Sequence, residues 1–130
     1  MAYPSPPPAY GQTTTSGERI WALTAHLGSL VTAWFALGLL APLAVLLLMG
    51  SGSDFVRRHA TESLNFQISL LIYSVVATAF AVLTLGVGLL IIIPVGAVVA
   101  LVALIAIIIA SVAANRGEDF RYPLSIRILR

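Results

Sequence analysis

Residues 63–115 read SLNFQISLLIYSVVATAFAVLTLGVGLLIIIPVGAVVALVALIAIIIASVAAN, and this run contains no charged side chain. A hydrocarbon core of about 30 Å takes roughly 20 helical residues per crossing. The run is therefore long enough for two transmembrane helices and a tight turn. The turn is predicted at Leu85-Gly86-Val87-Gly88, because glycine permits a reversal that β-branched residues resist. We expect helices over residues 64–85 and 89–114, with a mild kink at Pro94.

The composition of the chain also indicates a place in lipid. Its 130 residues are 59% hydrophobic and 9% charged, and the mean hydropathy is +1.01, whereas soluble domains average about 45–50% apolar and about 25% charged residues. The net charge of +2 is too small for a nucleic-acid surface, so we expect no nucleic-acid partner. The absence of cysteine excludes disulfides, thiolate catalysis and cysteine-ligated metals.

The first 17 residues, MAYPSPPPAYGQTTTSG, are polar, uncharged and rich in proline. Such a segment does not bury enough apolar surface to offset the entropy of ordering. We therefore expect a disordered arm over residues 1–17, followed by one membrane domain over 18–130. No cleavable signal peptide is visible in this stretch.

The apolar run at residues 20–53 is too long for one crossing and too short for two with a loop. Two solutions remain open. One is a single tilted helix over 28–49 after an interfacial segment at 18–27. The other is a pair of helices over 18–35 and 39–50.

A break near Trp34-Phe35 favours the pair of helices, because Gly38, Pro42 and the adjacent aromatics interrupt a continuous helix. The predicted fold is thus all-α, a polytopic transmembrane bundle of three to four membrane helices with a disordered arm.

The arginines predict the topology. A predicted loop at 51–62 carries Arg57 and Arg58, the tail at 115–130 carries four more arginines, and the glycine turn carries none. The loop and the C-terminus therefore belong on the cytoplasmic side of a bacterial plasma membrane, near anionic lipid headgroups. The arm is also cytoplasmic if residues 18–50 form a hairpin, and external if they cross once.

Seven polar side chains form the candidate interaction cluster: His26, Arg57, Arg58, His59, Glu62, Asn65 and Gln67. On a helix from about residue 56, one face carries Arg58, Glu62, Asn65 and Ser69, and we expect Glu62 to pair with Arg58. One interpretation makes His59 and Glu62 a proton relay. The other makes them interfacial anchors and links between helices.

No pattern in the chain indicates catalysis. Serine, histidine and acidic residues are present without a nucleophile elbow or an oxyanion loop. His26, His59 and Glu62 have no metal-ligand spacing and would hold an ion only if the helices brought them together. We expect no enzyme, no metal and no cofactor.

The C-terminal tail carries a motif of Gly117, Glu118, Tyr122 and Pro123. Gly117 suits the left-handed end of a helix, and Pro123 prevents the helix from resuming. We expect an extended tail that packs on the Arg57 and Arg58 region through Glu118 or Asp119.

Four ordered motifs carry a resemblance to a known family: ERIWALTAHL at 18–27, PL at 42–43, HATESLNFQ at 59–67 and GEDFRYPL at 117–124. Together they resemble the bacterial Tic-twenty-like family of small membrane proteins of unknown function, over residues 18–128. That family is similar to a chloroplast inner-envelope component implicated in protein import. The resemblance implies a helical bundle with basic cytoplasmic loops, and fold alone does not fix function.

These observations predict a non-enzymatic accessory or scaffold subunit of a membrane complex, with other membrane proteins or further copies of itself as partners. The alternative is a small oligomeric channel or transporter, proton-coupled or related to protein translocation, that uses the polar cluster.

Overall fold

The computed structural model describes residues 14–33 and 38–130 and contains four helices and no strand in these ranges. The all-α prediction is confirmed for this part of the chain. Residues 1–13 and 34–37 lie outside the described residues, so neither the disorder predicted for the arm over 1–13 nor the break predicted near Trp34-Phe35 is tested there. The arm predicted over 1–17 ends too late, because a helix already begins at Ser16. The helices are α1 (Ser16–Ala33), α2 (Leu40–Met49), α3 (Asp54–Leu83) and α4 (Leu89–Arg116).

Helices α3 and α4 form a hairpin that turns where the glycines predicted. Leu85 and Gly86 have positive φ angles of 52° and 87°, which reverse the chain between the two helices. In the described part of the chain, only α3 and α4 are both long and apolar enough to cross a membrane. Their halves nearest the turn expose large apolar side chains, which include Val76, Leu83 and Leu90.

Helices α1 and α2 fold back on each other, so a single tilted helix over 28–49 is wrong. Gly28 packs so closely on Ala41 that an added Cβ would come within 2.7 Å of the Ala41 Cβ. The ten residues of α2 extend about 15 Å, or half of a hydrocarbon core. The hairpin returns to the end of the bundle where α1 begins, because Ser53, four residues after α2, donates its hydroxyl hydrogen to Glu18 in the first turn of α1.

Helix α3 begins earlier than the sequence indicated, and this corrects the loop predicted at 51–62. The Ser53 hydroxyl caps the helix by accepting the Val56 amide hydrogen at 3.3 Å. Asp54 lies in the first turn, where the positive end of the helix dipole stabilises a carboxylate. The chain is consequently helical from Asp54 onward, and Arg57 and Arg58 lie on the helix itself.

Helix α1 begins with a capping box that the sequence analysis did not identify. The Thr15 hydroxyl accepts the Glu18 amide hydrogen at 3.2 Å, and the Thr15 amide donates to Glu18 Oε2 at 2.8 Å. The same carboxylate accepts the Ser53 hydroxyl at 2.6 Å. Glu18 thus joins the N-terminal caps of α1 and α3 at one end of the bundle.

The core lies at this polar end, where α1 packs against both long helices while α3 and α4 make few direct contacts. Small side chains along α4 leave room for Phe66 and Tyr122. The largest buried cluster consists of Phe66, Ala103, Ala106, Ile107, Ala110 and Tyr122. The C-terminal tail is therefore part of the core that joins the two long helices.

Candidate functional site

The tail begins at a left-handed residue that directs it back onto the bundle. Gly117 has a φ of 75°, and the amide of Glu118 donates to the Ala113 carbonyl at 2.9 Å. This is the hydrogen-bond pattern of a Schellman motif, in which glycine avoids the strain of the left-handed conformation. The chain after Gly117 then runs along α3 instead of away from it.

Two ion pairs hold the tail on α3, and they differ from the predicted one. Arg58 Nε lies 3.0 Å from Asp119 Oδ1, and Arg127 Nη2 lies 3.0 Å from Glu62 Oε1. The expected pair between Arg58 and Glu62 is wrong, because the tail offers each of them a partner. The expected contact of the basic segment with Asp119 is confirmed.

Glu62 is the best-buried charged group of the site. Its carboxylate accepts the Tyr122 amide hydrogen at 2.7 Å in addition to the Arg127 guanidinium. The side chain is only 11% exposed, whereas Arg127 is 41% exposed. A charged donor and a backbone donor together compensate the desolvation of this carboxylate.

Asn65 and Ser69 bind the returning part of the tail through its backbone. Asn65 Oδ1 accepts the amide hydrogens of Ile128 and Leu129 at 3.2 and 2.8 Å, and Asn65 Nδ2 donates to the Leu129 carbonyl at 2.9 Å. One turn further along α3, Ser69 Oγ accepts the Ile126 amide hydrogen at 2.7 Å. The asparagine amide has both a hydrogen-bond donor and an acceptor, so it can pair with the carbonyl and the N–H of an extended backbone.

A row of hydrogen bonds connects three separate parts of the chain. The Tyr122 hydroxyl lies 2.8 Å from His26 Nδ1, and His26 Nε2 lies 2.8 Å from His59 Nδ1. His59 Nε2 lies 2.9 Å from the Glu118 carbonyl oxygen. The row thus starts on the tail, crosses α1 and α3, and returns to the tail.

The last member of this row determines the direction of every hydrogen bond in it. A carbonyl oxygen accepts only, so His59 Nε2 must carry a hydrogen and donate to Glu118. Neutral His59 then accepts at Nδ1 from His26 Nε2, and His26 accepts at Nδ1 from the Tyr122 hydroxyl. Both imidazoles are satisfied as neutral rings, which suits groups 0% and 1% exposed.

Tyr122 is the buried centre of the site, only 2% exposed. Its ring stacks on Phe66 with centroids 4.1 Å apart, and Phe120 meets it edge-on at 5.1 Å. Burial, and then the nearby Glu62 carboxylate, raise the pKa of the Tyr122 hydroxyl well above its ordinary value. The hydroxyl therefore stays protonated and available to donate.

The predicted cluster is only partly assembled. His26, Arg58, His59, Glu62 and Asn65 meet around the tail motif. Arg57 instead pairs with Asp54 at 3.3 Å on an exposed surface, and Gln67 lies against Gly38 between α1 and α2. Pro123 immediately precedes Leu124, whose φ of 59° turns the tail back.

Several site residues lie outside the seven predicted candidates, although the predicted polar face of α3 included Ser69. Ser69 on α3 accepts the Ile126 amide hydrogen, and Arg127 on the tail binds Glu62. The Tyr73 hydroxyl donates to the Leu124 carbonyl at 2.6 Å. The Ser63 hydroxyl donates to the Ala25 carbonyl at 2.8 Å and links α3 to α1. The one signal for these contacts in the sequence is the apolar-polar-apolar alternation of Ile126, Arg127 and Ile128, which is typical of an extended segment.

A cavity of about 970 Å³ separates α3 from α4 in their outer halves. Its lining is mostly apolar and has a few hydroxyls, such as Tyr73, Ser74 and Thr78. None of the seven polar candidates lines it. Among the described residues, moreover, no group of three histidine or acidic side chains is placed to hold a metal ion.

Comparison with known proteins replaces the resemblance drawn from the motifs. Residues 17–129 match the sequence model of MamF/MmsF, described as a magnetosome magnetite crystal formation protein family. The expectation of a Tic-twenty-like family is therefore wrong, because the family that matches is a different one. No curated protein and no solved structure matches the chain.

Proposed function

We propose, on the premise that the chain belongs to the MamF/MmsF magnetosome magnetite crystal formation protein family, that it is a non-enzymatic accessory protein embedded in a membrane. The family match indicates a membrane-associated protein with a part in crystal formation. The proposed role within that activity is structural: the chain supplies a fixed polar surface at one end of two membrane-crossing helices.

The observation that carries this proposal is the docking of the tail. Glu62, Asn65 and Ser69 are each occupied by tail backbone groups. Polar side chains that hold a neighbouring segment rigidly are suited to presenting a surface and poorly suited to moving a solute. The tail and the start of α3 are thus the surface on which we expect membrane-protein partners, or a second copy, to bind.

A proton-coupled transporter was the alternative, and two observations disfavour it. The row from Tyr122 through His26 and His59 ends on the Glu118 carbonyl, which has no proton to pass onward. The cavity between α3 and α4 has no charged lining residue. Transport by this fold would need a polar route that crosses the apolar halves.

The topology proposed from the arginines gains support from the ends of the helices. Gly117 at the end of α4 lies against Thr14 before α1, and Glu18 joins α1 to the start of α3. We expect these three ends on the cytoplasmic face of a bacterial plasma membrane, with the arm on the same side. A cysteine placed at Ser5 should resist an impermeant thiol reagent in intact cells.

Reconstitution of the pure protein into vesicles separates the two functions. We expect proton and ion leakage equal to that of empty vesicles, for the native chain and for His59→Ala and Glu62→Gln. A flux that the native chain supports and Glu62→Gln abolishes, at equal incorporation, would replace the accessory role by transport.

The crystal-forming part of the proposal has its own experiment. Magnetite precipitated from iron salts beside protein-containing vesicles should differ in crystal size from magnetite formed beside empty ones, as measured by electron microscopy. The variant Asn65→Ala, which loosens the tail, should reduce the difference. Identical crystals with and without the native protein would remove this part of the role.

A further inference from the structure

A pocket of about 500 Å³ lies at the polar end of the bundle, between the start of α3 and the tail. We call it the arginine pocket because five arginines line it: Arg57, Arg58, Arg121, Arg127 and Arg130. Glu62 and Asp119 are its acidic lining residues. The side chains of the arginine pocket therefore carry three more positive than negative charges.

Three of the five arginines are ion-paired: Arg58 with Asp119 and Arg127 with Glu62 inside the arginine pocket, and Arg57 with Asp54 outside it. Arg121 and Arg130 make no ion pair with any described residue. Guanidinium groups gathered in one cavity repel each other, and an anion between them removes that repulsion. The cavity is thus complementary to a negative ligand.

The paired arginines also keep donors free. Arg58 uses Nε and Arg127 uses Nη2 in their ion pairs, whereas each guanidinium has five N–H donors in a planar fork. This fork matches the oxygens of a phosphate group, to which arginine binds through two parallel hydrogen bonds. Several arginines around one cavity therefore favour phosphate over a single carboxylate.

The position of the arginine pocket suits the headgroup of a lipid. It lies at the end of the α3–α4 hairpin opposite Gly86, and large exposed apolar side chains on α3 begin at Leu71. Leu71 lies nine residues beyond Glu62, which is about 13 Å along the helix. Phe120 and Leu129 add an apolar wall, against which the glycerol and upper acyl carbons of a lipid would pack.

We propose that the arginine pocket binds a phosphate group, as the phosphodiester of an anionic phospholipid or as free phosphate. Arg121 and Arg130 provide the contacts that no other side chain uses, and Arg58 and Arg127 add their free donors. The lipid source of the phosphate rests on the proposed membrane placement, whereas binding of the phosphate itself does not.

Native mass spectrometry of the full chain in neutral detergent, with short-chain phosphatidylglycerol as the probe, tests the site. The double variant Arg121→Gln/Arg130→Gln removes two guanidiniums that hold no other part of the fold. Arg116→Gln is the matched control, because Arg116 is an exposed arginine at the end of α4 and does not line the arginine pocket.

We expect the double variant to bind phosphatidylglycerol at least tenfold more weakly, since each charge-assisted hydrogen bond contributes about a factor of ten. Arg116→Gln should change the affinity less than about twofold, as expected for a screened surface charge. Phosphatidylcholine should bind equally weakly to all three proteins.

A second measurement identifies the source of the phosphate. Inorganic phosphate added to the protein in phosphatidylcholine nanodiscs should raise the unfolding temperature only slightly if the ligand is a lipid, and as much as phosphatidylglycerol does if it is a free anion. A full rise assigns the arginine pocket to free phosphate. A slight rise assigns it to the lipid only when phosphatidylglycerol binding is also lost in Arg121→Gln/Arg130→Gln.

Two results would overturn the proposal. One is phosphatidylglycerol and phosphate affinities that are the same for the native chain and Arg121→Gln/Arg130→Gln. The other is an equal loss in Arg116→Gln, which would indicate attraction to the surface as a whole. Neither depends on whether the protein conducts ions or affects crystals, so the accessory role is judged separately.

Discussion

The Tyr122 hydroxyl lies 2.8 Å from Nδ1 of His26, although 96 residues of sequence separate them. This hydrogen bond joins the tail to α1 inside the bundle, where neither group reaches water. The backbone of the same tyrosine is held by Glu62, so one residue links the tail to two helices. The tail is therefore expected to contribute to the stability of the whole bundle.

Tyr122→Phe tests this link directly. The substitution keeps the stacking on Phe66 but leaves His26 Nδ1 without its donor, which costs about 1–3 kcal/mol for a buried acceptor. We expect a loss of that size in the free energy of unfolding, measured in detergent by circular dichroism. Tyr73→Phe removes an exposed hydroxyl that donates to the Leu124 carbonyl, and it should cost less than half as much. Equal losses would contradict the central place given to Tyr122.

Asn65→Ala should free the last part of the tail without unfolding the helices. The Leu129 amide loses its acceptor, whereas the Ile128 amide keeps its hydrogen bond to the Ile126 carbonyl. Hydrogen exchange at Leu129 should therefore accelerate about tenfold or more, the equivalent of about 1.4 kcal/mol. Exchange measured by mass spectrometry should remain unchanged in α4. Ser74→Ala removes a hydroxyl that donates to the Leu70 carbonyl within α3. It is the control and should leave the tail protected.

Ser125→Ala is expected to stabilise the protein. The Ser125 hydroxyl is buried and has no hydrogen-bond partner among the residues that the structure describes, so its removal relieves a desolvation cost of about 1 kcal/mol. Ser69→Ala should do the opposite by a similar amount, since it strands the Ile126 amide. The midpoint of chemical unfolding compares the two. A midpoint for Ser125→Ala below that of the native protein would contradict this account.

Gly117→Ala should weaken the junction between α4 and the tail. An alanine in the left-handed conformation costs about 1–2 kcal/mol, and its Cβ would also collide with the Thr14 hydroxyl. Faster proteolysis of the tail is the expected sign. Gly52→Ala brings the new Cβ into ordinary van der Waals contact with the Met49 carbonyl oxygen at 3.8 Å, and should behave as the native protein does.

The Glu18 carboxylate predicts a pH dependence. The Ser53 hydroxyl, followed by the Thr15 amide and hydroxyl, lowers the pKa of Glu18 below its ordinary value of 4.5. A lowered folded pKa gives stability that is present above the ordinary value and is lost as the pH falls through the folded one.

The unfolding temperatures of the native chain and Glu18→Gln should therefore differ at neutral pH and converge below about pH 4.5. The same comparison in a Ser53→Ala background should show a smaller difference at neutral pH. A difference between the native chain and Glu18→Gln that persists unchanged into acid would refute this role for Glu18.

Periodicity and composition predicted what depends on local sequence. The reversal at Gly86 and the helix end at Gly117 follow from backbone freedom, and both are found where they were expected. The start of α3 at Asp54 lies earlier than the sequence predicts. The segment Gly50-Ser51-Gly52-Ser53 is typical of a loop, and its composition does not indicate that the Ser53 hydroxyl caps a helix. The partner of Glu62 was assigned wrongly, because a helical spacing favours Arg58 locally and gives no indication of Arg127.

The sequence by itself determined that two long apolar helices exist, that they turn at glycines, and that every charge stays at their ends, since these properties follow from transfer free energies and backbone sterics. Only the tertiary structure decided that the tail folds back between α3 and α4, pairs Arg127 with Glu62, and aligns Tyr122, His26 and His59 in one row. Those contacts join residues about 30 to 100 positions apart, and they form only because packing places three helices and the tail around one buried centre.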